Sequence, residues 1–116
     1  METLTQFEER RWYLNVILAD IREERERQVA KFGDQRDVAH GTGGSVRAFT
    51  AGEMRRQCDE DFKAGRGTWR AVLQEEVAEA MAEEPHSVAL RKELIQVATV
   101  AVAWIEALDW HKLHPK

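Results

Sequence analysis

Glutamates at helical spacing are the residues of this chain with the clearest potential for chemistry. Glu76 and Glu79 are three positions apart, so on a helix their carboxylates project from one side toward a common point. Glu93 falls within an apolar stripe that includes Val97 and Trp104. A buried carboxylate without a partner is costly and tends to take up a proton. Glu93 therefore requires a cation, a network of donors or a shifted pKa.

A hard divalent cation with oxygen ligands would satisfy these carboxylates together. Glu76, Glu79 and Glu93 supply carboxylate oxygens. Gln96 adds an amide oxygen from the same helix, and water and phosphate oxygens complete the coordination. Mg²⁺ is the expected ion, with Mn²⁺ as the alternative. Glu75 points away from this group on a helical projection, more nearly toward solvent.

The acidic run itself is a weaker argument than Glu93. A run such as QEEVAEAMAEE is usually the solvated face of a helix, and that interpretation is preferred for Glu75, Glu83 and Glu84. For Glu76 and Glu79 alone the two interpretations are balanced. The metal hypothesis therefore depends on pairing carboxylates across two helices.

Polar side chains also interrupt the apolar side of the first predicted helix. Arg25 and Gln28 lie on that side, and together with Lys31 and Gln35 they are candidates to hold phosphate oxygens. The alternative is that Arg25 forms an ion pair with a purely structural role. Trp69 stays open between stacking on a base and packing in the core.

A first long helix must carry these basic residues. Thr5 and Glu8 form a capping-box pattern, and Gly33 stops the segment, so a helix is predicted over residues 5–32. Residues 34–49 are rich in glycine and show no period, which predicts a mobile loop. The apolar positions assigned to the buried side of this helix are Leu14, Leu18, Ile21 and Phe32.

A short, mostly solvated second helix is predicted over about residues 50–63. Thr50 and Glu53 form its capping box, and glycines follow its end. Cys58 lies within it among acidic neighbours, which disfavour a thiolate. Nucleophilic catalysis by this cysteine is therefore not expected.

The carboxylates themselves fall on a third and a fourth predicted helix. Thr68 can cap a helix that runs to about Glu84, where a proline prevents continuation. Ser87 can cap the fourth, which runs to about Trp110. The short link makes the two helices antiparallel neighbours. Residues 111–116 are predicted to form a loose tail.

Length and composition point to one all-α domain. The chain has 116 residues, enough for one modest core, with only two prolines and one tyrosine. We predict a single domain over residues 1–116, an antiparallel bundle of about four helices. The fourth helix is apolar on two faces, which a thin bundle cannot bury alone, so a homodimer or homotetramer through the C-terminal helices is expected.

Charge and patterning exclude several classes of protein. The net charge is −4 and the isoelectric point is near 5.6, which argues against binding to duplex nucleic acid. The longest apolar run, residues 94–108, is shorter than the roughly 20 residues that a bilayer requires. One cysteine and a start without a secretory pattern favour a cytoplasmic protein.

Two segments of the chain resemble a known superfamily. LQEEVAEAM followed by RKELIQVATVAVAWIEAL resembles the EExxE…ExxD signature of the all-α nucleoside triphosphate pyrophosphohydrolases, and ERERQVAKFGDQ resembles small MazG-like proteins, many of them phage-borne. The resemblance covers roughly half the chain. It implies Mg²⁺-dependent cleavage of a nucleoside or deoxynucleoside triphosphate into a monophosphate and pyrophosphate. Glu76, Glu79 and Glu93 would be metal ligands.

The chain departs from the signature at one position, because Gln96 stands where the family has aspartate. An amide oxygen can still bind a metal, but it carries no charge and cannot act as a base. Three outcomes are open: catalysis with weaker metal binding, a changed preference for metal or substrate, or nucleotide binding without cleavage. In an active enzyme, Glu75 or Glu79 orients the water. The alternatives are a regulatory nucleotide-binding module and a helical interaction protein without metal.

Overall fold

The computed structural model describes residues 2–115 and shows four α-helices and no strand over that range. Met1 and Lys116, the ends of the predicted domain, lie outside the described residues. The predicted all-α class and the number of helices are confirmed for the described part of the chain. The helices are α1 (Leu4–Phe32), α2 (Ser45–Lys63), α3 (Trp69–Ala82) and α4 (Val88–Leu113).

The start of α1 uses the predicted chemistry at different residues. Thr3 Oγ1 accepts a hydrogen bond from the Gln6 backbone N–H at 3.1 Å, and Gln6 Oε1 accepts one from the Thr3 N–H at 2.8 Å. This reciprocal pair is a capping box. The predicted box at Thr5 and Glu8 is therefore wrong by two positions. The helix ends before Gly33, whose φ of 69° suits a glycine.

The second helix begins earlier than its sequence suggests. Residues 45–49, assigned to the loop, are helical, and Gly44 is the N-cap of α2 without a side-chain hydrogen bond. Thr50 lies inside the helix, where its hydroxyl donates to the Val46 carbonyl at 3.0 Å, so the predicted capping role is wrong. The connection before α2 therefore spans residues 33–44. Gly43 within it is buried and donates its N–H to the Met81 carbonyl at 2.9 Å.

The two remaining helices start where predicted. Thr68 Oγ1 accepts from the Ala71 N–H at 3.1 Å, and Ser87 Oγ accepts from the Leu90 N–H at 2.9 Å. The ends differ from the predictions. α3 stops at Ala82 instead of residue 84, and α4 continues to residue 113, so residues 111–113 of the predicted loose tail are helical.

The chain divides into two compact units. One contains the residues up to Val38 and those from Val102 onward, which are α1 and the last part of α4. The other is Ala39–Ala101, which contains α2, α3 and the first part of α4. In this second unit α2 packs against α3. All candidate carboxylates lie in the second unit.

The buried positions of α1 correct its predicted register. Tyr13 and Ile17 are buried, whereas Leu18, Ile21 and Phe32 are exposed and Leu14 is half-buried. The apolar pattern of this helix is broad enough to fit either side, and packing selects one of them. Over the described residues, no helix combines the length and the apolar character needed to cross a membrane.

Candidate metal centre

The carboxylates of the three acidic residues of α3 lie close together. Glu75, Glu76 and Glu79 each offer a carboxylate oxygen, and these oxygens all lie within 4.8 Å of one another. The three residues are half-buried on the side of α3 where α2 packs. Burying like charges this close is unfavourable unless a cation compensates them.

Glu75 does not point to solvent as its helical projection predicts. Its side chain is only 13% exposed, it lies beside Arg55 of α2, and it shares a hydrogen bond with the Cys58 thiol. Burial raises the pKa of Glu75, while the Cys58 hydrogen bond and Arg55 oppose that rise. The projection was wrong because it considers α3 alone, and α2 covers the side on which Glu75 lies.

Glu76 contains an oxygen without a partner. Its Oε2 atom is buried and accepts no hydrogen bond from any described residue. Burial raises the pKa of this carboxyl most, and the charges of Glu79, Glu75 and Glu93 raise it further. A buried carboxylate oxygen facing other carboxylates is an acceptor that lacks a donor or a cation.

Glu93 meets this group from α4. Burial raises its pKa first, followed by the charge of Glu79 and a hydrogen bond shared with Glu79. The charge of Glu79 so close to Glu93 therefore disfavours the ionised form of Glu93. The structure thus brings Glu93 together with Glu79, across the two helices that the sequence paired. The stripe beside Glu93 is half-buried and consists of Val97, Val100 and Trp104.

One guanidinium compensates part of this charge. Arg55 of α2 donates from Nε to Glu79 Oε1 at 2.7 Å and also pairs with Glu79 through Nη2, and its Nε lies 3.5 Å from Glu75 Oε1. The Arg55 side chain is 61% exposed, whereas that of Glu79 is 11% exposed. One partly solvated cation therefore faces four carboxylates, which leaves a surplus of negative charge.

A cavity of about 410 Å³ opens beside the cluster in the same unit. Small residues and Arg55 of α2 line it together with acidic residues from the end of α3 and from α4. The size is in the range of small-molecule sites. Its polar lining residues are Arg55, Glu79, Glu83 and Glu93.

Cys58 is buried, and its surroundings disfavour the thiolate. Burial and its hydrogen bond to Glu75 raise the pKa of its thiol to about 11, so the thiolate is scarce near neutral pH. The structure therefore agrees with the prediction that Cys58 is not a nucleophile. Its thiol instead donates a hydrogen bond that orients the Glu75 carboxylate.

Of the remaining candidate residues, Gln96 belongs to the unit of the carboxylates, and Arg25, Gln28, Lys31 and Gln35 belong to the other unit. Gln96 is exposed on α4. Arg25, Gln28 and Lys31 lie exposed on α1, with Arg25 Nη1 3.5 Å from Gln28 Oε1. Arg25 also lines a cavity within its own unit together with Gln35. Their contacts to a metal or a phosphate stay predictions.

Trp69 belongs to the same unit as the carboxylates. It is the first residue of α3, about two turns before Glu76, and its side chain is partly exposed. Stacking of Trp69 on a base and packing of Trp69 in the core both stay predictions.

Arg55 is the residue of this site that the sequence analysis missed. A signal was available, because it occupies one face of α2 with small or apolar residues at spacings of three and four. That face consists of Ala48, Ala51, Arg55 and Cys58. Glu93 was identified as a charged residue within an apolar stripe, and the same criterion applied to α2 identifies Arg55.

Known proteins give no independent assignment of this site. Comparisons of the chain with protein-family models, curated proteins and solved structures find no match. The residues of the site and their geometry are therefore the basis for its function.

Stability without metal is expected to decrease as the pH rises above the ordinary carboxyl pKa. The pKa values of Glu75, Glu76 and Glu93 are raised, so the folded protein holds these protons to a higher pH than the unfolded chain. Their contribution is present below the ordinary carboxyl pKa and is lost as the pH rises through the raised values. Glu2 and Asp34 have lowered pKa values. Their contribution to stability has the opposite sign and is lost only as the pH falls below the ordinary carboxyl pKa.

Urea unfolding at several pH values in EDTA measures this dependence for the wild type and for Glu76→Gln. The variant should lose part of the slope and gain roughly 1 kcal/mol near neutral pH, because an amide can donate to its acidic neighbours. Glu23→Gln, which changes an exposed carboxylate of α1, is the matched control and should leave the slope unchanged. An identical slope in the wild type and Glu76→Gln would contradict the interpretation.

Proposed function

We propose that the chain is a Mg²⁺-dependent nucleoside triphosphate pyrophosphohydrolase of the MazG-like kind. It would convert a nucleoside or deoxynucleoside triphosphate and water into the corresponding monophosphate and pyrophosphate, in the cytoplasm. The observation that carries this proposal is the buried Oε2 of Glu76, which lacks a partner while facing further carboxylates. A cation at that point would compensate the charge of the ionised carboxylate.

The donor set suits a hard divalent cation. Carboxylate oxygens are the preferred ligands of Mg²⁺ and Mn²⁺, and those of Glu75, Glu76 and Glu79 are near enough to one another to share one ion. Glu93 adds a fourth carboxyl from α4 through its contact with Glu79. The cavity beside the cluster provides room for phosphate groups and water.

The reaction requires mainly positioning and charge compensation. A bound divalent cation supplies compensation for the charge that develops on the phosphate oxygens. Glu75 or Glu79 orients the water whose oxygen attacks phosphorus while the α–β phosphoanhydride bond breaks, and takes up its proton. Glu75 is well suited to this role, because Cys58 and Arg55 both interact with its carboxylate and fix its position. Arg25, Gln28, Lys31, Gln35 and Trp69 are proposed to bind the substrate.

A second copy of the chain is the proposed partner through α4. The face of α4 next to Glu93 is half-buried, whereas another face is largely exposed. Ile95 and Ile105 on this exposed face are 47% and 36% accessible, which is unfavourable for aliphatic side chains in water. The stripe consists of Ile95, Ala98, Val102 and Ile105. Pairing two such stripes in a homodimer or homotetramer would bury them.

A nucleotide-binding regulatory module is the second candidate. The observation that favours it is Gln96, which is exposed and lacks the charge and basicity of the aspartate in the family signature. Such a protein would bind a nucleoside triphosphate with Mg²⁺ and release no product.

A pyrophosphate-release screen separates the two candidates. Purified protein is incubated with each common ribo- and deoxynucleoside triphosphate in Mg²⁺, in Mn²⁺ and in EDTA. The enzyme should release pyrophosphate and the monophosphate in equal amounts, only with metal. Calorimetric binding without product would support the regulatory module. Absence of both binding and product across the panel would exclude both.

A further inference from the structure

The ion pair of Arg55 with Glu79 does not use all the hydrogen-bond donors of the guanidinium. The guanidinium directs both Nε and Nη2 at the single oxygen Oε1 of Glu79, and no described residue accepts from Nη1. A guanidinium and a carboxylate usually pair through two oxygens. This pairing leaves part of the donor capacity of Arg55 available, on a side chain that is mostly exposed.

The unused donors belong to a residue that lines the cavity. Ala48, Ala51 and Gly52 of the same helix also line the cavity, and their side chains are too short to fill it. Ala48 and Ala51 precede Arg55 by about two turns and one turn, so the helix presents an open surface that ends in a cation. A cavity with a cation at one end and carboxylates beside it suits a ligand that carries both metal and anionic oxygens.

The charges of the site indicate when Arg55 is free to bind such a ligand. Arg55 and a metal ion would compete for the Glu79 carboxylate. A metal ion bound to this carboxylate would therefore release the guanidinium. Planar guanidinium groups bind phosphate oxygens through paired hydrogen bonds.

From these contacts we propose that Arg55 is a binding residue for the polyphosphate part of the substrate. It is the counter-ion of Glu79 in the metal-free protein and binds phosphate oxygens in the cavity once Mg²⁺ occupies the carboxylates. This inference rests on the proposed function and identifies the ligand class of the cavity as a metal-bound diphosphate or triphosphate group.

The proposal predicts effects of opposite sign in Arg55→Gln. Affinity for Mg²⁺ alone should rise, because a competing cation has been removed from Glu79. Affinity for pyrophosphate in the presence of Mg²⁺ should fall about tenfold or more, because charged hydrogen bonds to phosphate are lost. Arg55→Lys retains the charge without the planar fork and should give an intermediate loss. Arg56→Gln is the matched control, since Arg56 pairs with Glu53 and Glu60 of its own helix.

Titration calorimetry with Mg²⁺ alone, and with pyrophosphate at saturating Mg²⁺, tests these expectations. Opposite shifts in Arg55→Gln with no change in Arg56→Gln would support the proposal. If Arg55→Gln weakens both ligands equally, Arg55 acts only as a structural counter-ion. If it keeps wild-type affinity for pyrophosphate, Arg55 is not a phosphate ligand and the proposed function stands. If the wild type binds neither ligand, the proposed function is excluded and this inference with it.

Discussion

Glu93→Gln is expected to lower the rate of pyrophosphate release by about a hundredfold or more while the fold persists. Glu93 meets Glu79 from a different helix, so its carboxylate completes a cluster that α3 alone cannot close. Glutamine has the same shape but contributes no negative charge to the binding of a cation.

The same variant should separate function from folding. Burial and Glu79 raise the pKa of Glu93, so the ionised form is disfavoured in the metal-free protein. Its replacement by glutamine should leave the melting temperature in EDTA unchanged or raise it. The wild type gains about 2.7 kcal/mol from a ligand at a hundred times its Kd, and the variant should lose most of the gain that Mg²⁺ produces.

Two measurements are required for this prediction: pyrophosphate release and thermal unfolding with and without Mg²⁺. Glu23→Gln serves as the control, because it removes an exposed carboxylate of α1 and should behave as the wild type. Full activity in Glu93→Gln would remove Glu93 from the metal centre. A collapse of stability in EDTA would mean that its role is structural.

Ile105→Arg is expected to convert an oligomer into a monomer. The wild type should have a mass of at least twice 13.4 kDa at micromolar concentration. An arginine in the centre of a paired apolar stripe would be buried without a partner, which costs several kcal/mol and should weaken association by about a hundredfold or more. Ile95→Arg should have the same effect, because both residues lie on one exposed stripe of α4.

Light scattering coupled to size-exclusion chromatography measures the masses. Ala89→Arg is the matched control, since Ala89 is exposed on the first turn of α4 and roughly opposite the stripe. It should keep the wild-type mass. A monomeric wild type would exclude the proposed dimer, and an unchanged mass in both isoleucine variants would place the interface elsewhere.

Local sequence signals predicted the helices better than their exact ends. Thr68 and Ser87 cap their helices as predicted, because a capping side chain acts on backbone groups three residues away. Thr50 has the same pattern and lies inside α2 instead. A capping box indicates that a helix can start at a given residue. Whether the helix starts earlier depends on the residues that precede the box.

The helical spacing of Glu76 and Glu79, and the position of Glu93 in an apolar stripe, predicted that these three carboxylates meet. Periodicity determines the face of a helix on which a residue lies, and a short link restricts how two helices pair. The all-α class follows from the same regularities. These properties depend on neighbours within one or two turns, so the sequence by itself determined them.

Packing between α2 and α3 decided the rest of the carboxylate cluster. It placed Glu75 in the cluster and brought Arg55 and Cys58 to it, although nothing near Glu75 in the chain indicates that α2 covers its side. It also left Oε2 of Glu76 buried without a donor. Contacts between residues distant in sequence depend on how whole helix faces fit together. The residues that compensate a buried charge were therefore visible only in the tertiary structure.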